Sequence, residues 1–162
     1  MSIDANELWT SLSAKRPAQR VHLSWRCIFI TICAHEKHCL FGRVEEDRVV
    51  LSVLGEIVER EWLRSQSVRP DVVFDEYVIM PNHMHAVVYV PAIQNEGSVR
   101  ERSLATLVGG FKGAVTRATK HQVWQRGYHE HIVRNERQLE LIRTYIRENP
   151  LRWADDRYFD RE

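Results

Sequence analysis

The chain has few of the features that mark a membrane-spanning, secreted or disulfide-bonded protein. Its longest mostly apolar run, Cys27 to Ala34, is far too short to cross a bilayer. Only three cysteines occur and none forms a C-x-x-C pair, so we expect free thiols in a reducing compartment. Met1 to Leu12 has no apolar segment typical of a secretory signal. These absences predict a cytoplasmic protein that makes no membrane contact.

An excess of charge of one sign is also lacking, because the net charge of the 162 residues is only +1. The length fits one domain, which we place at residues 21–162 after a polar lead-in at residues 1–20. Between Val99 and Arg126, however, six cations accompany a single anion. Such a stretch suits phosphate groups, although an ordinary solvated helix face looks the same. The candidate phosphate contacts in and near this stretch are Arg102, Lys112, Arg117, Lys120, Arg126 and Arg134.

The order of apolar patterns predicts an α+β fold. Strands are expected at Trp25–Cys33, Val72–Met80, His83–Val90 and Tyr128–Val133, and helices at Arg48–Arg64, Ser103–Lys120 and Asn135–Asn149. This order fits a ferredoxin-like split β-α-β sandwich, in which two helices cover one face of a four-stranded antiparallel sheet. The C-terminal helix is then left to cover the other face.

The segment His83-Met84-His85 is the most informative motif. Alternate side chains of a strand point to the same side, so both imidazoles should face one way and Met84 the other. Two imidazoles on one face can bind one divalent metal ion. The alternative is a half-buried strand with two hydrogen-bonded histidines.

The last predicted helix carries the residues that favour the metal site. Tyr145 and Asn149 are four apart and therefore share one helix flank. A tyrosine oxygen can attack a phosphodiester, and a cation held by His83, His85 and the Asn149 carbonyl would stabilise the anionic transition state. Free tyrosine has a pKa near 10, so only about 0.1% is phenolate at pH 7 and the site must activate it.

Four ordered motifs resemble those of a known family. They are Asp75–His85 (DEYVIMPNHMH), Val123–Tyr128 (VWQRGY), His131–Glu136 (HIVRNE) and Tyr145–Pro150 (YIRENP). In this order they resemble the REP-associated tyrosine transposases, a branch of the single-tyrosine HUH transposases. The resemblance spans roughly Ser24 to Trp153.

The resemblance implies a ferredoxin-like fold and a DNA transposase. It implies that His83 and His85 bind Mg²⁺ or Mn²⁺, that Tyr145 is the catalytic nucleophile, and that Asn149 is a further metal ligand. The implied reaction is cleavage and rejoining of single-stranded, hairpin-bearing DNA through a 5′-phosphotyrosine. Nitrogen and oxygen ligands accept either metal, so the ion stays open. Dimers that exchange the tyrosine helix occur in the wider class, so both a monomer and a homodimer stay open.

Other residues compete for these roles. By spacing alone, His129-Glu130-His131 is as good an H-x-H metal site as the first, although its segment also suits strand-edge DNA contact or core packing. Tyr128 is a rival nucleophile on a strand, without an amide partner at helical spacing. Trp124 and Trp153 could stack on bases or pack in the core. Two other functions stay open: a non-catalytic DNA hairpin-binding protein of the same fold, and a zinc hydrolase, which would need more ligands nearby.

Overall fold

The computed structural model describes residues 25–91 and 99–156, with side chains of the second range from residue 103 onward. The predicted lead-in at residues 1–20 lies outside these ranges. Four strands form one antiparallel sheet: β1 (Trp25–Cys33), β4 (Val73–Met80), β5 (His83–Pro91) and β6 (His129–Val133). Their spatial order is β4-β5-β1-β6, the order of a split β-α-β fold. The predicted α+β architecture is therefore confirmed.

The first face of the sheet is covered by two helices, α1 (Val53–Val68) and α2 (Val99–Thr119). Even-numbered residues of the central strands point to this face, among them Ile28, Ile30, Met84 and Ala86, all of them buried. Trp62 of α1 lies at the centre, with ring centroids 5.1 Å from Phe74 and 5.2 Å from Phe111. Trp124 also packs here, against Phe41 and Phe111, so the core alternative predicted for this residue is correct.

The second face is covered by the C-terminal helix α3 (Glu136–Glu148). Val87 of β5 and Val133 of β6 pack there against Leu139 and Ile146 of the helix. The Asn135 side chain caps α3 by accepting a hydrogen bond from the backbone N–H of Gln138 at 2.8 Å, as the sequence predicted. The helix therefore lies on the opposite side of the sheet from α1 and α2.

The structure corrects two predicted boundaries. Residues Arg48–Leu51 are not helical but form strand β3, which pairs with β2 (Gly42–Glu45) in a separate two-stranded sheet. The turn between them has positive φ angles at Glu46 and Asp47, and sequence periodicity does not reveal so short a hairpin. Ser52 then caps α1 by accepting from the Gly55 N–H at 3.0 Å.

The other correction concerns the start of α2. Ser103 is not the N-cap, because the helix already begins at Val99. The Ser103 hydroxyl instead donates to Asp71 at 3.2 Å, and Arg69 donates to the Ser103 carbonyl at 2.9 Å. The first turn of α2, residues 99–102, consists largely of arginine and glutamate, which favour a helix but show no apolar periodicity. No helix in the described residues is long and apolar enough to cross a membrane.

Two glycine substitutions should have opposite effects on stability. A Cβ at Gly110, on the exposed face of α2, would meet no atom within 4 Å, so Gly110→Ala should raise the free energy of unfolding by about 0.5–1 kcal/mol. A Cβ at Gly55 would lie 2.0 Å from the Phe41 carbonyl oxygen, so Gly55→Ala should lower it by about 1–3 kcal/mol. Urea denaturation measures both, and a stabilising Gly55→Ala would contradict the tight packing of α1 on Phe41.

Candidate active site

His83 and His85 are fully buried in β5, and their rings lie on the sheet face that α3 covers. Met84, between them, packs in the opposite core. The two Nε2 atoms lie 3.1 Å apart and the ring centroids 4.5 Å apart. Two ring nitrogens at this distance converge on one point, which a single cation or proton can share.

The other nitrogen of each ring is held by a polar neighbour. The Asn82 amide nitrogen donates to the Lys37 carbonyl at 3.0 Å, which turns its oxygen toward His83 Nδ1 at 2.8 Å. Because that oxygen can only accept, His83 carries its proton on Nδ1 and keeps the Nε2 lone pair. His85 Nδ1 lies 2.8 Å from the Thr31 hydroxyl. Such partners orient the histidine ligands of metal sites.

Asp156 brings a carboxylate to the histidine pair, and Asn149 is hydrogen-bonded to that carboxylate. Asn149 is 1% exposed, and its amide nitrogen donates to Asp156 at 3.0 Å. The oxygen of the same side-chain amide, Oδ1, is buried, with no hydrogen-bond partner in the described part of the chain. Ligand atoms of His83, His85 and Asp156 all lie within 4.8 Å of one another. A buried oxygen without a donor is an atom that a cation would satisfy.

These donors fit a small divalent cation. Ions such as Mg²⁺ hold their ligands at about 2.0–2.1 Å, so ligand atoms around one ion lie roughly 3–4 Å apart. The 3.1 Å between the histidine nitrogens lies in this range, and the carboxylate of Asp156 lies close by. Two nitrogens and a carboxylate oxygen suit Mn²⁺, Mg²⁺ or Zn²⁺, so the donor set does not select among these ions.

Tyr145 lies beside the histidine pair. Its hydroxyl oxygen is 3.4 Å from His85 Nε2, and the centroids of the two rings are 5.3 Å apart. Phe29 of β1 stacks on His85 at 5.1 Å and contacts the Tyr145 ring edge-on at 6.3 Å. The structure thus brings together Tyr145, His83, His85 and Asn149, the four site residues expected from the sequence. Their roles stay predictions.

The rival nucleophile Tyr128 and the other described tyrosines, Tyr77 and Tyr89, lie elsewhere. Tyr128 packs against the core on the opposite sheet face. Tyr77 donates to Glu59 at 3.2 Å and Tyr89 to Asp75 at 3.3 Å. Burial, reinforced by the neighbouring carboxylates, raises the pKa of both phenols well above the ordinary value and makes them poor nucleophiles.

The second H-x-H motif lies on the exposed edge strand β6. His129 pairs with Thr31 and His131 with Phe29, so both histidines face the same side of the sheet as the buried pair. Both are exposed, and His131 Nε2 contacts Gln138 Nε2 at 2.6 Å. Within residues 25–91 and 99–156, neither histidine belongs to a group of three metal-ligating side chains.

The predicted DNA-binding cations divide into two groups. Lys112, Arg117 and Lys120 line a groove at the C-terminal half of α2. Lys112 donates to the carbonyls of Gln125 and Gly127 at 2.8 Å each, and desolvation lowers its pKa. It therefore holds the segment before β6. Arg126 and Arg134 are exposed on either side of β6, and the side chain of Arg102 lies outside the described residues.

Three residues around the site were not predicted from the sequence. Phe29 and Thr31 alternate along β1, and only the register of β1 against β5 places them beside His85. Asp156 follows Pro150 in a segment rich in charged residues that shows no apolar periodicity. A 3₁₀ turn at Trp153–Asp155 returns the chain to the site, with the Trp153 ring 6.0 Å from His83.

Comparison with known proteins identifies a relative by sequence and a solved structure with a similar fold. No model of a known protein family matches the chain. An uncharacterized protein of Haemophilus influenzae is 33% identical over 167 residues, which cover 90% of this chain and 93% of that protein. A solved structure of a REP-associated tyrosine transposase bound to a REP hairpin is similar with a TM-score of 0.58. At 21% identity, that match covers 80% of this chain and 68% of the other.

The structural match supports the resemblance drawn from the four sequence motifs, and its low identity limits what it shows to the fold. The Haemophilus influenzae relative matches over nearly the full length of both chains. The chain therefore belongs to the same family as that protein, and it has the fold of a REP-associated tyrosine transposase.

Proposed function

We propose that this protein cleaves and rejoins single-stranded, hairpin-bearing DNA, with Tyr145 as the nucleophile. The observation that carries the proposal is the 3.4 Å contact between the Tyr145 hydroxyl and His85 Nε2, next to two convergent, buried imidazoles. A phenol beside a cluster that could hold a cation is an arrangement that suits nucleophilic attack on a phosphodiester. The shared fold with a transposase that binds a REP hairpin supports the choice of DNA as substrate.

His83, His85, Asn149 and Asp156 would hold the divalent ion, either Mg²⁺ or Mn²⁺. When bound, such an ion supplies positive charge that stabilises the phenolate and the anionic transition state at phosphorus. The hydrogen bonds that the two imidazole rings form with Asn82 and Thr31 fix the rings before substrate arrives. This preorganisation avoids the cost of arranging the ligands during the reaction.

The reaction would proceed by two transesterifications, one that cleaves the strand and one that rejoins it. The Tyr145 hydroxyl gives up its proton to solvent and its oxygen attacks phosphorus, so that an O–P bond to the tyrosine forms while the bond to the 3′ oxygen breaks. The released 3′ oxygen takes up a proton, and the 5′ end stays linked to the protein. Attack by another 3′-hydroxyl reverses the step and joins strands. The phosphotyrosine conserves the phosphodiester energy, so no nucleotide cofactor is needed.

The exposed cations would bind the DNA backbone. Arg117 and Lys120 lie at the groove along α2, and Arg126 and Arg134 flank the edge strand β6. Arg102 and Lys112 belong to the same predicted set, although Lys112 already holds two backbone carbonyls. Each phosphate neutralised by such a cation releases a counterion, so DNA affinity would fall as salt rises.

Tyr145→Phe should abolish covalent attachment to DNA while preserving DNA binding. The phenylalanine keeps the ring contacts with Phe29 and His85 but removes the attacking oxygen. The measurement is a denaturing gel of protein incubated with Mn²⁺ and labelled hairpin oligonucleotides. Tyr128→Phe is the matched control, because Tyr128 lies on the other sheet face, and it should leave the adduct unchanged. An undiminished adduct with Tyr145→Phe, or binding without any adduct across many hairpins, contradicts the proposal.

The histidine pair should bind Mn²⁺ without DNA. We expect His83→Ala to abolish this binding, because it removes one of the two convergent nitrogens. Thr31→Val should weaken it about tenfold, the usual effect of losing a group that orients a ligand. Isothermal titration calorimetry measures both. His129→Ala is the control and should bind as the wild type does. If His129→Ala loses Mn²⁺ binding and His83→Ala keeps it, the metal site lies on the edge strand β6 and the prediction is wrong.

A further inference from the structure

Strand β4 contains one extra residue where it runs beside β5. Phe74 pairs with Val88 and Tyr77 with Ala86, so β4 advances three residues while β5 advances two. This register shift is a β-bulge, which interrupts the alternation of side chains between the faces. Phe74 and Tyr77 accordingly both pack in the first core, although residues three apart in a regular strand face opposite sides.

The two residues inside the bulge, Asp75 and Glu76, are acidic, and both reach helix α3. Asp75 Oδ2 accepts from Arg143 Nη2 at 2.5 Å. Glu76 Oε1 accepts from Arg147 Nε at 3.1 Å and also from Nη2 of the same side chain. The two acidic side chains are only 2% and 7% exposed. Without the bulge, one of the two consecutive side chains would point to the opposite core.

The two arginines lie on one flank of α3 and the candidate site residues on the other. At about 100° per residue, Arg143 and Arg147 follow each other along the flank facing β4. Tyr145 and Asn149 lie on the opposite flank, where Tyr145 contacts His85. Between the flanks, Leu139, Ile142 and Ile146 pack on the sheet. We call the pairs Asp75–Arg143 and Glu76–Arg147 the two-pair clamp.

The clamp is better suited to fixing geometry than to adding stability. The desolvation cost of a buried ion pair offsets most of its attraction, so such pairs stabilise a fold little. Charge-assisted hydrogen bonds are nevertheless short and directional, whereas aliphatic contacts permit small rotations. Hydrogen bonding to Glu76 raises the pKa of Arg147, and Arg143 is also bonded to Glu140, so both guanidinium groups stay charged.

We infer that the β4 bulge and its two-pair clamp set the rotation of α3 about its axis and thereby position Tyr145 over the histidine pair. The inference deepens the proposed function and rests on it. Asp75, Glu76, Arg143 and Arg147 are positioning residues, because they act through the helix. A phenol oxygen lies roughly 8 Å from its helix axis, so a rotation of about 20° moves it by about 3 Å. Misplacement by about 1 Å can slow a reaction a hundredfold.

The Glu76–Arg147 pair is the appropriate one to test, because Arg147 is 54% exposed and its replacement leaves no buried arginine vacancy. We expect Arg147→Gln and Glu76→Gln each to slow adduct formation at saturating DNA by about ten- to a hundredfold. The exchanged pair, Glu76→Arg with Arg147→Glu, should recover at least part of the rate. Arg152→Gln is the matched control, because Arg152 forms an exposed ion pair with Glu148, and it should keep the wild-type rate.

A spectroscopic measurement separates positioning from loss of fold. With 3-fluorotyrosine in place of Tyr145, the ¹⁹F resonance reports the surroundings of the ring without any reaction. The double variant Glu76→Gln with Arg147→Gln, which leaves no unpaired buried charge, should shift or broaden this resonance while the thermal midpoint stays within a few degrees of the wild type. An unchanged resonance together with an unchanged rate overturns the inference. A rate that falls only in proportion to the folded fraction, with no recovery in the exchanged pair, overturns it as well.

The same measurements distinguish failure of the inference from failure of the proposed function. If the wild-type protein forms no adduct with any hairpin, the proposed function fails. The ¹⁹F resonance then still decides whether the clamp positions Tyr145. If the wild type forms the adduct and the Glu76 and Arg147 variants do so equally fast, only the clamp is wrong.

Discussion

Strand β5 is buried on both faces, and the alternation of its side chains separates the scaffold of this protein from its candidate chemistry. Met84, Ala86 and Val88 fill the core beneath α1 and α2, while His83 and His85 face α3. A shift of one residue in the pairing of β5 would exchange the two sets and place imidazoles in an apolar core. The register between β1 and β5 prevents this, and it also brings Thr31 and Phe29 to His85.

Burial gives the histidine pair its chemical character. Both imidazoles are 0% exposed, and their Nε2 atoms lie 3.1 Å apart with no room for water between them. Because two lone pairs at this distance repel each other, the two Nε2 atoms must share a proton or a cation. The Nδ1 atoms of the two rings face Asn82 and Thr31, so the two Nε2 atoms are the ones that face each other at the candidate cation site. The buried carbonyl oxygen of Asn149 adds an acceptor to the same region. The scaffold thus concentrates lone pairs where a cation would be most stabilising.

Much of this arrangement could be predicted from the sequence, because it follows from local periodicity. The two-residue period of a strand predicts that His83 and His85 share a face, and the helical period predicts that Tyr145 and Asn149 share a flank. The order of strands and helices was enough for the ferredoxin-like sheet. The start of α2 and the short β2–β3 hairpin were missed, since neither has a distinctive apolar period.

The residues that the sequence did not reveal depend on contacts between distant segments. Thr31 reaches His85 only through strand register, and Asp156 only through the turn after Pro150. In the sequence, Asp75 and Glu76 are an ordinary pair of acidic residues. The β-bulge that contains them depends on how β4 pairs with β5, so the sequence of β4 alone does not reveal it. Local patterns therefore indicate the candidate site residues, whereas tertiary pairing determines which side chains orient them.

The central claim is that one cation site lies between the buried imidazoles and within reach of the Tyr145 oxygen. A crystal structure of the protein grown with Mn²⁺, with anomalous diffraction recorded to locate the ion, tests this most directly. The account predicts one strong peak bonded to Nε2 of both His83 and His85, with an oxygen of Asn149 or Asp156 completing the ligands. A peak held instead by His129 and His131, or Tyr145 turned away from the occupied site, would contradict it.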